Sequence, residues 1–380
     1  YNPIIYEALD YTVGLFDAEG NTVSIGLGLP MFIGGLSDAI RAMVKHYGVN
    51  GIKKGDILLT NDPFIMGSHL NNMIMALPIF YQDELVGFSA SMAHWQDIGG
   101  TLSSIPTDVY SEGLQIPIVK IFKEGVQDMD LTNMILSNVR LSEQALGDFN
   151  AQIAAVKTGE IRFQHLCSRY GPDTVLQSIR NFMNQSEIIA KKAVEKIPDG
   201  VYEAESFLDD DGIELNKPIP IKVRVIVNGD KMTIDLSEMS PQVRGPVNAG
   251  YSAGRSAALV AFKCLTTPVL TPINEGSFRP MDLILPPGTV VSAEKPAAVK
   301  KWMFVPDSIV DTVFKALAPA CPELVAAAHH CDLMFYTAYG HDPKTKKFFL
   351  IPDGLIGGGW GAKYDEDGMN ATVAINDEIG

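Results

Sequence analysis

Met73-Ile-Met-Ala-Leu-Pro-Ile-Phe-Tyr81, then Gln82-Asp83-Glu84, then Leu85-Val-Gly-Phe-Ser-Ala-Ser-Met92: two runs of strand-forming residues stand either side of three polar ones, the pattern of an antiparallel pair joined by a tight turn. Working outward, Ile57-Leu-Leu-Thr60 is another short apolar run, and it ends in the turn Asn61-Asp62-Pro63. Tyr11-Thr-Val-Gly-Leu-Phe16 and Thr22-Val-Ser-Ile-Gly26 flank Asp17-Ala-Glu-Gly20 as a second hairpin. Between these strands, residues 35–47 place Leu36, Ile40, Met43 and Val44 on one helical face. Strands that meet in hairpins, with a helix among them, predict an α+β class.

Further along, the pattern changes. Residues 141–195 read as helix, starting at Leu141-Ser142 and interrupted at Gly171-Pro172-Asp173, after which Val175, Ile179, Phe182 and Met183 resume the period. Pro198-Asp199-Gly200 marks a boundary. Beyond it, Ile221-Lys-Val-Arg-Val-Ile-Val227 and Met232-Thr-Ile-Asp-Leu236 alternate around Asn228-Gly229, a strong hairpin signal. Residues 253–264 and 306–320 look helical. The expected organisation is an α+β domain over 1–140, a helical segment over 141–198 and a β-rich α+β domain over 199–380, with mixed and antiparallel sheets.

The 380 residues are 46% hydrophobic and 20% charged, with 34 Gly and 23 Pro, which excludes disordered and fibrous classes. A net charge of −15 repels a phosphate backbone. The densest basic stretch, Lys344-Thr345-Lys346-Lys347, reads as a hairpin tip, so no nucleic-acid partner is expected. Cys167, Cys264, Cys321 and Cys331 form no CxxC pair and no disulfide framework, and read as thiols in a reducing cytoplasm. No apolar run reaches the roughly 18 residues of a membrane span. The chain starts without Met and stops at Gly380 in mid-pattern, so it is expected to be a fragment of a longer polypeptide.

Histidines are the residues with most chemistry to offer. His69 follows Gly67-Ser68 just before a strand, and His94 ends another in Ala93-His94-Trp95-Gln96-Asp97-Ile98-Gly99-Gly100. Strand ends beside glycine-containing loops carry function more often than element interiors do. Imidazoles with nearby oxygen donors, here Asp10, Asp62, Asn72 and Asp97, suit a divalent ion, but from spacing alone the constellation is weak, and a lone histidine at a strand end is usually a hydrogen-bonded structural residue. His329 and His330 are adjacent, so they cannot face one ion from a helix or strand, and they read as structural. Gly357-Gly358-Gly359-Trp360-Gly361 is either an anion cradle or close backbone packing. Gly250-Tyr251-Ser252-Ala253-Gly254 matches GxSxG, but a turn-like stretch precedes it, so Ser252 reads as a helix cap rather than a nucleophile. Asp209-Asp210-Asp211-Gly212 and Asp365-Glu366-Asp367-Gly368 read as turns. Neither common nucleotide fingerprint is present.

Several stretches together resemble the hydantoinase B/oxoprolinase family, and within it the ketone-carboxylase branch. They are Gly55-Asp56 to Thr60-Asn61-Asp62-Pro63, Gly67-Ser68-His69-Leu70, the His94 stretch, Glu112-Gly-Leu-Gln-Ile-Pro117, Gly147-Asp-Phe-Asn-Ala-Gln152, Ser240-Pro-Gln-Val-Arg-Gly-Pro-Val-Asn248 and Ile273-Asn-Glu-Gly-Ser-Phe-Arg-Pro280. The resemblance implies a divalent ion, zinc or manganese, held by two histidines and carboxylates. Its first histidine lies in an HxxD stretch, matched here by His69-Leu70-Asn71-Asn72, and its second lies 25 residues on, at His94. Asp10 matches a further ligand. Asn72 departs from the family's usual Asp, which removes one negative donor. Asp97 is the implied partner that orients an imidazole.

The same resemblance implies a hetero-oligomeric complex in the cytoplasm, with ATP bound by a hydantoinase A-like partner subunit. The activity it implies is carboxylation of a ketone by bicarbonate to a β-keto acid, with ATP phosphorylating the ketone's enol. The alternatives are ATP-dependent hydrolysis of a cyclic amide such as a hydantoin or 5-oxoproline, and a metal-free structural subunit. Ala93-His94-Trp95 and the 357–370 stretch look closer to the carboxylase branch, with Trp95 as a candidate wall of an aromatic pocket or else part of the core.

Overall fold

The computed structural model describes residues 1–267, 271–331 and 334–372. Among them the strands form three sheets. The largest contains β1 (Tyr11–Phe16), β2 (Thr22–Leu27), β3 (Ile57–Thr60), β4 (Asn72–Tyr81), β5 (Glu84–His94), β6 (Val119–Lys123) and β7 (Val126–Gln127), in the order β2-β1-β5-β4-β3-β6-β7. All its pairings are antiparallel. The second sheet orders β8 (Gly200–Leu208), β9 (Ile219–Asn228), β10 (Lys231–Asp235) and β11 (Met281–Ile284) as β11-β10-β9-β8, with only β10·β11 parallel. A hairpin of β12 (Met334–His341) and β13 (Phe348–Ile356) is the third. Its tip carries Lys344–Lys347, as expected. The helices are α1 (Pro3–Tyr6), α2 (Gly35–Tyr47), α3 (Pro63–Met66), α4 (Met129–Ser137), α5 (Ser142–Tyr170), α6 (Pro172–Val194), α7 (Tyr251–Thr266) and α8 (Phe304–Leu317). The architecture is the α+β one expected, with mixed and antiparallel sheets.

Strand β4 shows why this sheet is central. Successive side chains of a strand point to opposite faces. Met73, Met75 and Leu77 therefore enter one apolar cluster with Phe149, Ile153 and Val156 of α5. Ile74 and Ala76 enter another, which also holds Leu36, Ile40 and Met43 of α2. That second cluster continues through Ile221, Val223 and Val225 of β9 to residues of α7 and α8. It therefore runs across position 198, where the sequence changes texture from helix to strand.

Local chemistry explains most element ends. Gly171 terminates α5 with φ 82°, and Pro172 opens α6. Asn228-Gly229 turns β9 into β10, and Asp209–Gly212 lies in the β8–β9 connection. Ser252 differs from expectation. The residue capping α7 is Gly250, and Ser252 sits buried inside the first turn with its hydroxyl donating to Asp38 Oδ2 at 2.6 Å. No strand directly precedes it, so the GxSxG match is a helix start. The stretch before His329 is an irregular segment after a short turn at Pro322–Leu324.

Gly67 closes α3 in the left-handed region, φ 90°, and a Cβ there would stand 2.2 Å from the Ala253 amide nitrogen of α7. Gly67→Ala is expected to destabilise the fold by about 2–4 kcal/mol, from combined strain and overpacking. Urea unfolding measures this as a lower midpoint at constant slope; an unchanged midpoint would contradict the close approach of α3 and α7.

Candidate metal centre

Strand pairing brings three of the expected residues to one place. In the β4·β5 register Asn72 lies opposite His94. The β1·β5 register starts at Tyr11 opposite Ala93, and the His94 amide donates to the Asp10 carbonyl at 3.1 Å. His69 stands one turn before β4, with its carbonyl accepting from the Asn72 amide at 3.2 Å. The His69 and His94 rings meet with centroids 4.8 Å apart and planes at 69°. Two imidazoles 25 residues apart in sequence thus face each other across the end of a hairpin.

Their protonation follows from their surroundings. His69 Nδ1 lies 3.2 Å from the Lys300 carbonyl, which can only accept, so Nδ1 carries the proton and Nε2 presents a lone pair. Burial pushes the His69 pKa down to about 4, with hydrogen bonding to the Lys300 carbonyl acting the other way. His94 is driven well below the ordinary histidine value by burial and by the neighbouring His69. Both rings are neutral at pH 7, the state a metal ligand requires.

Around the pair lie buried polar atoms that lack a hydrogen bond of ordinary geometry: Ser68 Oγ, both amide atoms of Asn72, His94 Nδ1 and Trp302 Nε1. The interaction Asn72 does make is with the His69 ring. Such atoms are costly to bury unless something else satisfies them. Two neutral nitrogens and an amide oxygen suit a borderline divalent ion such as zinc or manganese, so the residues present fit the group that the resemblance implies. The Asp10 carboxylate does not close with both imidazoles to within 4.8 Å. The Asp10 carbonyl adjoins the pair as the acceptor of the His94 amide.

One expectation is corrected. Asp97 does not orient an imidazole: it pairs with the Arg140 guanidinium at 2.6 Å, accepts from the Gly99 amide, and also takes the Arg140 backbone N–H. The Lys300 carbonyl does that work at His69. Of the two alternatives for Trp95, the structure takes the core. This side chain is fully buried, donates from Nε1 to Gln152 Oε1 at 3.0 Å and packs against Phe149. The indole beside His69 is that of Trp302, edge-on to it at 6.3 Å and stacked on Phe32. The Gly357–Gly361 cluster takes the close-packing alternative, because a Cβ on Gly358 would meet the His330 ring at 2.2 Å and one on Gly361 would meet Ala327 at 2.6 Å.

Sequence reading missed Lys300, Trp302 and Glu112. The Glu112 Oε1 accepts from the amides of Val299 at 2.7 Å and Lys300 at 2.8 Å, which sets the carbonyl that orients His69. Glu112 was visible as part of the Glu112–Pro117 stretch, but its partners lie 187 and 188 residues away.

Burial pushes the Glu112 carboxyl up to about 7 from the ordinary 4.5. The folded chain therefore holds a proton that the unfolded chain releases. The stability this gives is complete below pH 4.5 and lost as pH rises through 7. Glu112→Gln keeps the accepting oxygen and has no proton to lose. Relative to the parent it should gain about 2–3 kcal/mol between pH 4.5 and pH 7.5. Paired unfolding curves across that range check this, and parallel pH profiles would contradict it.

Comparison with known proteins agrees with the architecture. Residues 1–379 match the hydantoinase B/oxoprolinase family. The chain is 32% identical over 401 residues to one subunit of the putative D-/L-hydantoinase of a Pseudomonas species, strain NS671, covering 99% of this chain and 66% of that protein. The crystal structure of the ATP-dependent caprolactamase from Pseudomonas jessenii superposes with a TM-score of 0.90 at 30% identity, covering 97% of this chain and 64% of that one. The nucleotide-free acetone carboxylase structure also gives a TM-score of 0.90, at 18% identity, over 100% of this chain and 53% of that one, a likeness of fold alone. The chain spans between about half and two thirds of the length of these proteins. Among the described residues no helix is long and apolar enough to cross a membrane. The chain belongs to the hydantoinase B/oxoprolinase family.

Proposed function

We propose that this chain is the metal-bearing subunit of an ATP-dependent complex that activates an inert carbonyl, with a cyclic amide as the substrate class. The observation that carries the reading is the meeting of two neutral, buried imidazoles, His69 and His94, at 4.8 Å. The substrate class is supported by the names of the relatives at 30–32% identity, a caprolactamase and a putative hydantoinase. An ATP-binding partner subunit, hydantoinase A-like, is supported by the lack of either nucleotide fingerprint in this sequence. The relatives are themselves named as subunits, which agrees with it.

The residues divide the work. In this reading ATP transfers its γ-phosphoryl group to the amide oxygen and leaves as ADP; water adds to the activated carbon, the ring C–N bond breaks with the nitrogen taking up a proton, and phosphate departs to leave a carboxylate. His69 and His94, with Asn72 beside them, would hold a zinc or manganese ion, which supplies Lewis-acid stabilisation of negative charge on the substrate oxygen. The Lys300 carbonyl keeps the proton of His69 on Nδ1, so that Nε2 stays available. Trp302, stacked on Phe32, gives the pocket an apolar wall that keeps bulk water off His69.

Ketone carboxylation is the second reading. The Ala93-His94-Trp95 and 357–370 stretches favour it, and Trp302 supplies the aromatic wall that Trp95 does not. The assembled complex, given ATP, is expected to open a lactam or hydantoin ring. Fixation of labelled bicarbonate onto a ketone, without ring opening, selects the second reading. In either assay His94→Ala should lower turnover at least about 100-fold with the complex still assembled; full activity would remove the site. Asn72→Asp restores a charged donor and should raise metal retention on dialysis, and unchanged retention would show that Asn72 points elsewhere.

A further inference from the structure

A different cluster lies further along the chain. Helix α8 carries Asp307 and Asp311 one turn apart. Asp307 is fully buried, and the Asp311 side chain is only 11% exposed. Asp311 is a hub. Its Oδ1 lies 2.8 Å from His329 Nδ1, and its Oδ2 accepts from the His329 amide at 3.1 Å and from the Cys331 thiol at 3.0 Å. The Cys331 Sγ stands 3.7 Å from His329 Nδ1. One oxygen, one nitrogen and one sulfur thus lie within 4.8 Å of one another, the one such group among the described residues. The His329 side chain is 5% exposed, and its Nε2 is buried with no partner among the described residues.

We propose that Asp311, His329 and Cys331 form a second metal centre, separate from the His69–His94 pair, that takes a zinc-class divalent ion.

Carboxylate, imidazole and thiolate together make a donor set for a borderline-soft cation. Ligand atoms on a tetrahedral zinc stand about 3.4–3.6 Å apart, given its bond lengths. The sulfur–nitrogen edge already has nearly that length. The carboxylate meets the other two donors through different oxygens, Oδ1 on His329 Nδ1 and Oδ2 on Cys331 Sγ, and either oxygen becomes a ligand when the ion replaces the shared protons. The thiol proton leaves to solvent, and the imidazole proton passes from Nδ1 to Nε2. Charge favours the exchange. Burial, Asp311 and Asp307 push the Cys331 thiol far above its ordinary range, so without a cation it stays protonated and is no nucleophile. A dication reverses that balance.

The centre would act as a clip. The 327–330 segment is already paired with the glycine-rich stretch, Ala327 N–H to the Ala362 carbonyl at 2.9 Å and His330 N–H to the Gly359 carbonyl at 3.1 Å. An ion on Asp311 would fasten both to α8.

The test uses the full chain in its complex, loaded with Co²⁺ in place of zinc. A thiolate-to-cobalt charge-transfer band in the near ultraviolet is expected. It should persist in the His69→Ala/His94→Ala double variant and in Cys264→Ser, which removes the exposed thiol, and should vanish in Cys331→Ser. Zinc content of the double variant should be about one per chain and fall at least about tenfold when Cys331→Ser is added. Absence of the band in the parent chain, or its survival in Cys331→Ser, overturns the proposal. Neither result depends on the His69–His94 reading, and the parent spectrum needs no variant to fold.

Discussion

The antiparallel pairing of β4 with β5 is the constraint from which the rest follows. Its register puts Asn72 opposite His94, and the same ladder passes Ala93 to Tyr11 of β1. One residue of slip would turn His94 to the other face, because side chains alternate. Such a slip is penalised on both sides of the sheet. Met73, Met75 and Leu77 need the α5 cluster, while Ile74 and Ala76 need the cluster shared with α2. Two apolar cores therefore hold the register that places the imidazoles.

Loops at this end of the sheet are tied down by buried polar side chains. Asn61 receives the Ile116 amide on its oxygen and donates to the carbonyls of Leu70 and Leu114. Asn248 does the same service for Val243, Gly245 and Ala298. Glu112 binds the amides of Val299 and Lys300. A buried backbone group without a partner costs more than a satisfied one gains, so each of these side chains fixes a loop in a single arrangement. His69 takes its tautomer from the last of them, through the Lys300 carbonyl.

The two histidine clusters show opposite electrostatics. At His69 and His94 burial removes charge, leaving neutral nitrogens beside a neutral amide. At His329, two carboxylates of α8 crowd a thiol, and protons on the imidazole and the sulfur knit the cluster together. Asn72, where the family's usual aspartate would add a negative charge, widens the contrast.

The sequence by itself determined the hairpins, the helices around Gly171-Pro172 and the α+β class, and it singled out His69 and His94 as strand-end candidates. These are short-range matters: alternation, turn residues and helical period act over a few positions, and strand ends are where loops present side chains. The family resemblance supplied the pairing of the two histidines. Only the tertiary structure decided that Asp97 belongs to Arg140, that Trp95 is core, and that Trp302, Lys300 and Glu112 shape the site. The same holds for Asp311 with His329 and Cys331, which sequence spacing leaves apart. The reason is physical: a side chain's partner is set by which surfaces pack, and contacts between irregular segments 18 to 231 positions apart leave no periodic trace in the chain.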